Sequence, residues 1–337
     1  MIGKFLKAGQ VLATGLALML GFAMAQTASA QDYPDVTIKV AHDIAEAHPT
    51  HLAMVRWQEL LSEATGGKMK IQIFPNAVLG STDSQMTQLQ QGSLDVVVLG
   101  GVSLLGKYNE EANIELLPFL FSSNKNAIKA LEGEYGDWLA KEIVAPAGFQ
   151  VMSYMINGLR HIGNNKRPIN VPADMEGLKF RVANVALLVE FFKEMNSTAV
   201  PMAFTEVFTA LQQGTVDGFE NPAAVFNSNK FDEAVSHLSL TGHAFTAYVP
   251  VMDLEKFNAY PAEVQKVLLD TAKEAASYQH ELMYEYEDRS VSELKERGMQ
   301  VNEVDKDAFV AAVKPIWDRF IEKYGDAGVK LALESQK

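Results

Sequence analysis

From Pro261 to Arg297 the chain contains neither glycine nor a second proline, while Val264, Val267, Leu268, Ala272, Ala275 and Ala276 recur near helical spacing. Pro261 is well placed to start a helix there. At about 1.5 Å per residue an unbroken helix over this stretch reaches about 55 Å, longer than one lobe is wide. It has to lie across two lobes. Two shorter helices with a break near Asp288-Arg289-Ser290 are the alternative, since helices this long are uncommon.

The chain is long enough to build two lobes. It opens with Lys4 and Lys7, an apolar run from Val11 to Met24 and the triplet Ala28-Ser29-Ala30, the layout of a signal peptide over residues 1–30. The apolar run is shorter than the ~20 residues of a membrane span, so the expectation is cleavage after Ala30 and a soluble exported protein, with an uncleaved anchor as the alternative. About 307 of the 337 residues then remain, beyond the size at which a single core stops growing. With no cysteine anywhere, disulfides, thiolate nucleophiles, sulfur-ligated metals and a lipid anchor on cysteine are all excluded. Loss of Lys4 and Lys7 takes the net charge from -13 to -15, which disfavours nucleic acid and anionic membranes as partners.

The secondary-structure grammar is α/β. Val36 to Val40 alternates as a strand, His51 to Ala64 reads as a helix stopped by Gly66-Gly67, and Met69, Ile71 and Ile73 mark a second strand. Asp83 to Gln91 reads as a helix, and Asp95 to Leu99 as a strand apolar enough to be covered on both faces. A second set of units begins near Asn157: strand Leu178–Val182, helices Ala186–Met195 and Phe204–Gln213, and a short strand Val216–Phe219. No linker-like tract separates the two sets, so strands are expected to join the lobes.

Gly101-Val102-Ser103-Leu104-Leu105-Gly106-Lys107 fits phosphate-loop spacing until its last position, where Tyr108 replaces the Ser or Thr that would bind magnesium. His42, His48 and His51 lie near Asp43 and Glu46, but their spacing matches no metal motif, and Pro49 favours a loop entering a helix, with capping and surface roles. His42 also ends a strand, where open α/β sheets place ligand contacts. Neither a Gly-x-Ser-x-Gly elbow nor a His-Glu-x-x-His segment occurs. Arginines are more informative. Arg181 projects opposite Leu178, Phe180 and Val182 near a strand end, and Arg160 follows Gly158, where its guanidinium can grip a carboxylate bidentately. In so acidic a chain, an anion site has to be built from such local arginines.

The run Gly177-Leu178-Lys179-Phe180-Arg181-Val182, the segment Pro201 to Gly218 and Glu220-Asn221-Pro222 resemble the solute-binding proteins of tripartite ATP-independent periplasmic (TRAP) transporters, DctP type. Phe74-Pro75-Asn76 through Leu79-Gly80, and Leu89 through Asp95, extend the resemblance across the mature chain. It implies a two-lobed, periplasmic-binding-protein-like fold of type II kind, with hinge strands and a long helix spanning both lobes. Lobe I is expected over 32–157 plus 247–286, and lobe II over 158–246 plus 287–337. The resemblance implies an organic-acid ligand paired to Arg181, with Arg160 as a second arginine and Asn221, in the Glu-Asn-Pro turn, as an amide contact. Asn184 and Phe204 match pocket-lining positions, and His42 and His243 match variable polar contacts. Membrane permease subunits are the implied partner of a monomer with no cofactor, metal or catalytic residue. Gly100 and Ser103 depart from the sialic-acid binders of the family, and Phe219 replaces a glutamine, which reads either as an apolar pocket wall or as a core aromatic. The rival readings are a periplasmic enzyme on a sugar acid, using His42, His243 or Glu220 as acid or base, and a sensor module that touches a receptor.

Overall fold

The structure, a computed structural model, describes residues 33–337, so the expected signal peptide lies outside the described residues. Ten strands form the sheet framework: β1 (Val36–Ala41), β2 (Met69–Phe74), β3 (Val96–Leu99), β4 (Phe149–Val151), β5 (Met155–Asn164), β6 (Lys179–Val182), β7 (Thr198–Pro201), β8 (Gly218–Pro222), β9 (His237–Asp253) and β10 (Gln300–Asn302). Their order is β2-β1-β3-β9-β5-β8-β6-β7, with β4 and β10 also on β9. β1 runs parallel to β2 and β3, and β6 runs parallel to β7 and β8, so each end of the framework carries the parallel pairing expected of α/β units. β9 joins the two ends. Its Val249–Asp253 part pairs with β3 and β4, while its His237–Tyr248 part pairs antiparallel with β5. The β3 sequence Val-Val-Val-Leu is buried throughout, as a strand covered on both faces must be.

The long helix forms as one piece over Ala262–Glu296, with no break at Asp288-Arg289-Ser290. Its buried stripe from Val264 to Leu294 advances by three or four residues at a time, which keeps one face on the core over 35 residues. Polar contacts space the same face. Thr271 Oγ1 accepts from Trp57 Nε1 at 3.0 Å on the helix Pro49–Ala64, and Gln279 bridges Ile156 at the start of β5 by accepting from its N–H and donating to its carbonyl. Further along, Asn227 Nδ2 donates to Ser290 and Glu293 at 3.2 and 2.7 Å, holding the helix Ala223–Ser228. One helix thus grips elements at both ends of the sheet. The C-terminal chain returns to the 110–145 region, where Trp317 Nε1 donates to Pro118 O at 2.9 Å and Gln336 Nε2 to Leu120 O at 2.9 Å.

Two elements differ from the sequence reading by more than a shift of one or two residues at an end. The strand expected at Val216–Phe219 is β8, Gly218–Pro222, so Glu220-Asn221-Pro222 is strand and not turn. Just before it, the Asp217 N–H donates to Lys179 O at 2.7 Å and the Asp217 carboxylate accepts from Lys179 N at 2.8 Å, while the register with β5 starts at Gly218 opposite Asn164. The helix expected over Phe204–Gln213 is a 3-10 turn, Phe204–Glu206, followed by a helix over Val207–Gln212. Phe219 is fully buried against Phe226 and Phe231, with ring centroids 4.4 Å away in each case, and is the core aromatic of the two alternatives. Among the described residues no helix is long and apolar enough to cross a membrane.

Gly218 sits where β5, β6 and β8 meet, and a Cβ there would lie 2.2 Å from Gly163 O and 2.8 Å from the Phe180 ring. Gly218→Ala is expected to destabilise the fold by about 1–3 kcal/mol through overpacking, read as a lower denaturant midpoint. Gly100→Ala, whose Cβ meets nothing closer than 3.8 Å, should leave that midpoint unchanged. A second expectation concerns Glu287 on the long helix. Burial, helped by Asp288 and opposed by a hydrogen bond from Asn124, raises its carboxyl to about 7. The folded chain therefore holds this proton more tightly than the unfolded chain. Its stabilising contribution is complete below about 4.5 and lost as pH rises through about 7. The thermal midpoint should fall with pH across that window less steeply in Glu287→Gln than in the parent, and equal slopes would refute the assignment.

Candidate ligand-binding site

The strand ends build a cavity of about 150 Å³. Asp43, Gly100, Ala183 and Met202 follow the carboxyl ends of β1, β3, β6 and β7, the side on which open α/β sheets hold ligands. Asn157 and Arg160 from β5, Asn221 from β8, and Thr246 and Tyr248 from β9 complete the polar lining. Of the seven residues singled out in the sequence, Arg181, Arg160, Asn221, Asn184 and Phe204 reach this cavity.

Arg181 is 3% exposed, at the end of β6. Its Nε and Nη2 donate to Met202 O at 2.9 and 2.6 Å, which fixes one edge of the guanidinium and leaves the Nη1 edge uncommitted. The Phe204 ring lies 6.0 Å from its Cζ. Among the described residues no carboxylate comes within 4.0 Å of it. Burial pulls its pKa down to about 10, with the charge of Glu220 opposing and that of Arg160 adding to the fall, so it stays a cation at neutral pH.

Arg160 departs from the expectation that its fork faces a ligand. β5 and β8 pair with Arg160 opposite Pro222 and Ile162 opposite Glu220, which makes Arg160 and Glu220 diagonal neighbours. The guanidinium closes on that carboxylate: Nε bonds Oε2, Nη2 bonds Oε1 at 2.8 Å and the Glu220 carbonyl at 3.1 Å, and Nη1 donates to Thr246 Oγ1 at 3.1 Å. Four of its five N–H groups are thereby committed. Burial opposes ionisation of Glu220, but the charge and hydrogen bonds of Arg160 outweigh it and hold the carboxyl at about 2. A fully buried, paired carboxylate held at about 2 has no proton to give at neutral pH and is a weak base, which argues against the acid/base role considered for Glu220.

The two histidines do not line the cavity. His42 is buried behind it, where its Nδ1 accepts from Ile44 N at 3.2 Å and its Nε2 lies 3.2 Å from His51 Nδ1. Burial, then the neighbouring His51, lowers its pKa to about 3. Asp43, one residue on and past the end of β1, takes the cavity position. His243 stacks on Phe191 at 4.6 Å and keeps its Nε2 3.5 Å from Glu220 Oε2. His48 caps the helix Pro49–Ala64, its Nδ1 accepting from Thr50 N at 3.1 Å, from a buried and not a surface position. No group of three or more His, Cys, Asp or Glu among the described residues is arranged to hold a metal ion. The Gly101–Lys107 segment is a 3-10 turn with Lys107 paired to Asp83 at 2.6 Å, not a phosphate loop opening a helix.

Sequence reasoning passed over Asn157, Thr246 and Tyr248, and considered Asp43 only as a metal partner and Glu220 only as an acid or base. For Glu220 a signal existed: an arginine buried on a central strand requires an anion, and the acidic residue nearest the Asn221 motif is Glu220. Glu115 adds a hidden brace, accepting from Ser103 N at 3.0 Å and Ala247 N at 2.8 Å and so tying the Gly100–Ser103 wall to β9.

Residues 40–323 match the DctP family, bacterial extracellular solute-binding protein, family 7. The 2,3-diketo-L-gulonate-binding periplasmic protein of Escherichia coli K12 is 32% identical over 288 residues, covering 85% of this chain and 87% of that protein. A TRAP periplasmic solute-binding protein from Roseobacter denitrificans, solved with bound β-D-glucuronate, superposes with a TM-score of 0.84 at 32% identity over 88% of this chain and 99% of its own. One from Sulfurospirillum deleyianum, solved with bound succinate, gives 0.83 at 28% identity over 89% and 99%. With its two sets of α/β units joined through β9 and a shared helix, the chain belongs to the DctP family and is a periplasmic-type TRAP solute-binding protein, not an enzyme.

Proposed function

We propose that the protein captures a small organic acid in the periplasm, with the ligand carboxylate on the free edge of Arg181, and delivers it to a membrane permease of the TRAP type. One observation carries the reading. A buried guanidinium that lines the cavity has one edge on Met202 O, and among the described residues no carboxylate pairs with it, which leaves its other edge for a ligand. A buried cation without a partner is costly, so an anion at that edge stabilises the closed cleft. Support also comes from relatives of this size that hold β-D-glucuronate and succinate, both carboxylates.

Arg160 then supplies at most its remaining N–H and holds the wall in register through Glu220. Asn221 orients the ligand, while Phe204 and Asn184 close its apolar and polar sides. The lobes divide at 157/158 in β5, at 246/247 in β9 and at 286/287 in the long helix, and they swing about these crossings to close over the acid. The C-terminal helices from Lys314 onward strap back across the seam, with Lys323 Nζ on Glu110 at 2.5 Å.

Arg181→Lys keeps the charge and removes the planar fork, so affinity for the bound acid should fall roughly ten- to hundredfold with the fold intact. Isothermal titration measures it against a circular-dichroism control, and unchanged affinity would refute the assignment. The acid is found by thermal shift over carboxylates, since a ligand at a hundred times its Kd stabilises by ~2.7 kcal/mol.

A further inference from the structure

The charges that line the cavity pair off unevenly. Arg160 is neutralised by Glu220 behind it, and Lys107 by Asp83 at the rim. What remains is one cation, Arg181, and one carboxyl, Asp43, which sense each other across the cavity. Asp43 is half-buried, accepts from Thr82 Oγ1 at 3.1 Å through Oδ2, and has no cation within 4.0 Å among the described residues. The first turn of the helix Thr82–Gln90, which faces the same space, already has Asp43 and Asp83 beside it. Asn157 is 3% exposed and lines the cavity, where its Nδ2 donates to Gly100 O at 3.1 Å and its Oδ1 has no partner.

Such a wall accepts one negative charge and, away from it, wants hydrogen-bond donors. The first carboxylate of a ligand neutralises Arg181. A second would enter a buried space with no uncommitted cation and with a carboxyl already present, at a cost that neither the Asp43 nor the Asn157 acceptor can offset. Hydroxyl groups, in contrast, donate to both. We infer that the cavity selects an acid with one carboxylate and several hydroxyls, a sugar acid, over a dicarboxylate, and that Asp43 and Asn157 Oδ1 are the residues that read the hydroxyls.

This inference rests on the proposed capture of organic acids at Arg181, and the test separates the two. Titration calorimetry compares succinate with D-erythronate, a four-carbon acid that replaces the second carboxylate by hydroxyls, and with D-glucuronate and D-galactonate. The parent protein should bind its best hydroxy acid at least a hundredfold more tightly than succinate. Asp43→Asn should narrow that ratio tenfold or more by tightening succinate and weakening the hydroxy acid. Asn157→Ala should weaken the hydroxy acid about tenfold and leave succinate within threefold, a selectivity that a merely structural loss would not produce. Succinate binding as tightly as any hydroxy acid overturns the inference, as does succinate binding with uptake of one proton, which would put a protonated Asp43 opposite a second carboxylate. So does an unchanged ratio in both variants. If none of these acids binds, or if Arg181→Lys binds them all unchanged, it is the organic-acid reading itself that falls.

Discussion

The buried pair between Arg160 and Glu220 organises the centre of the molecule. It joins β5 to β8, and through Thr246 it reaches β9, so one charge pair holds the three strands that meet beneath the cavity. Neither partner has solvent to fall back on, at 6% and 0% exposure. Removing one partner of such a pair typically costs 3–5 kcal/mol, because the other is left as a bare charge in a medium of low polarisability. The pair also sets the electrostatics of the site. With Arg160 neutralised at its root by Glu220 and Lys107 paired with Asp83, Arg181 is, among the described residues, the cation lining the cavity without a carboxylate partner.

What the sequence disclosed follows from how local each signal is. The 35-residue helix was legible because continuity needs only the absence of glycine and proline, and its stripe of buried positions repeats every turn. The strand β3 was legible because a fully covered strand is apolar throughout. The extended crossing strands β5 and β9 were anticipated only as a need for connection, since their alternation changes from one sheet neighbour to the next along their length. The bounds of β8 were missed because its pairing is set by Asn164 and Phe180 opposite Gly218, partners far along the chain that no local window contains.

The site was legible in its residue types and not in their directions. The arginine beside Gly158 was expected to grip a ligand carboxylate, but its fork closes on Glu220, because β5 and β8 pair in the register that sets the two side chains diagonally on one face. His42 and Asp43 differ by one position, and Asp43 lines the cavity while His42 is buried behind it. Asn157 gave no sequence signal at all. It matters because its two amide atoms are treated unequally by the fold, one bound to Gly100 and one left without a partner.

A net charge of -13 means that the field around this protein repels the anion it is proposed to bind, so capture cannot rely on long-range steering. The attraction has to be short-ranged and desolvated. On the proposed reading, water and ligand compete for the same edge of Arg181. In an open cleft, water solvates that edge cheaply and closure gains little. A closed cleft without an anion would leave the guanidinium dry and half-satisfied, with burial already pulling its pKa to about 10. An anion reverses the balance, since it replaces the lost hydration with a charge-assisted bond of about 1.5–3 kcal/mol. On the proposed reading the ligand would interact differently with the two states at this one residue, and that difference is what a binding-driven shift from open to closed requires.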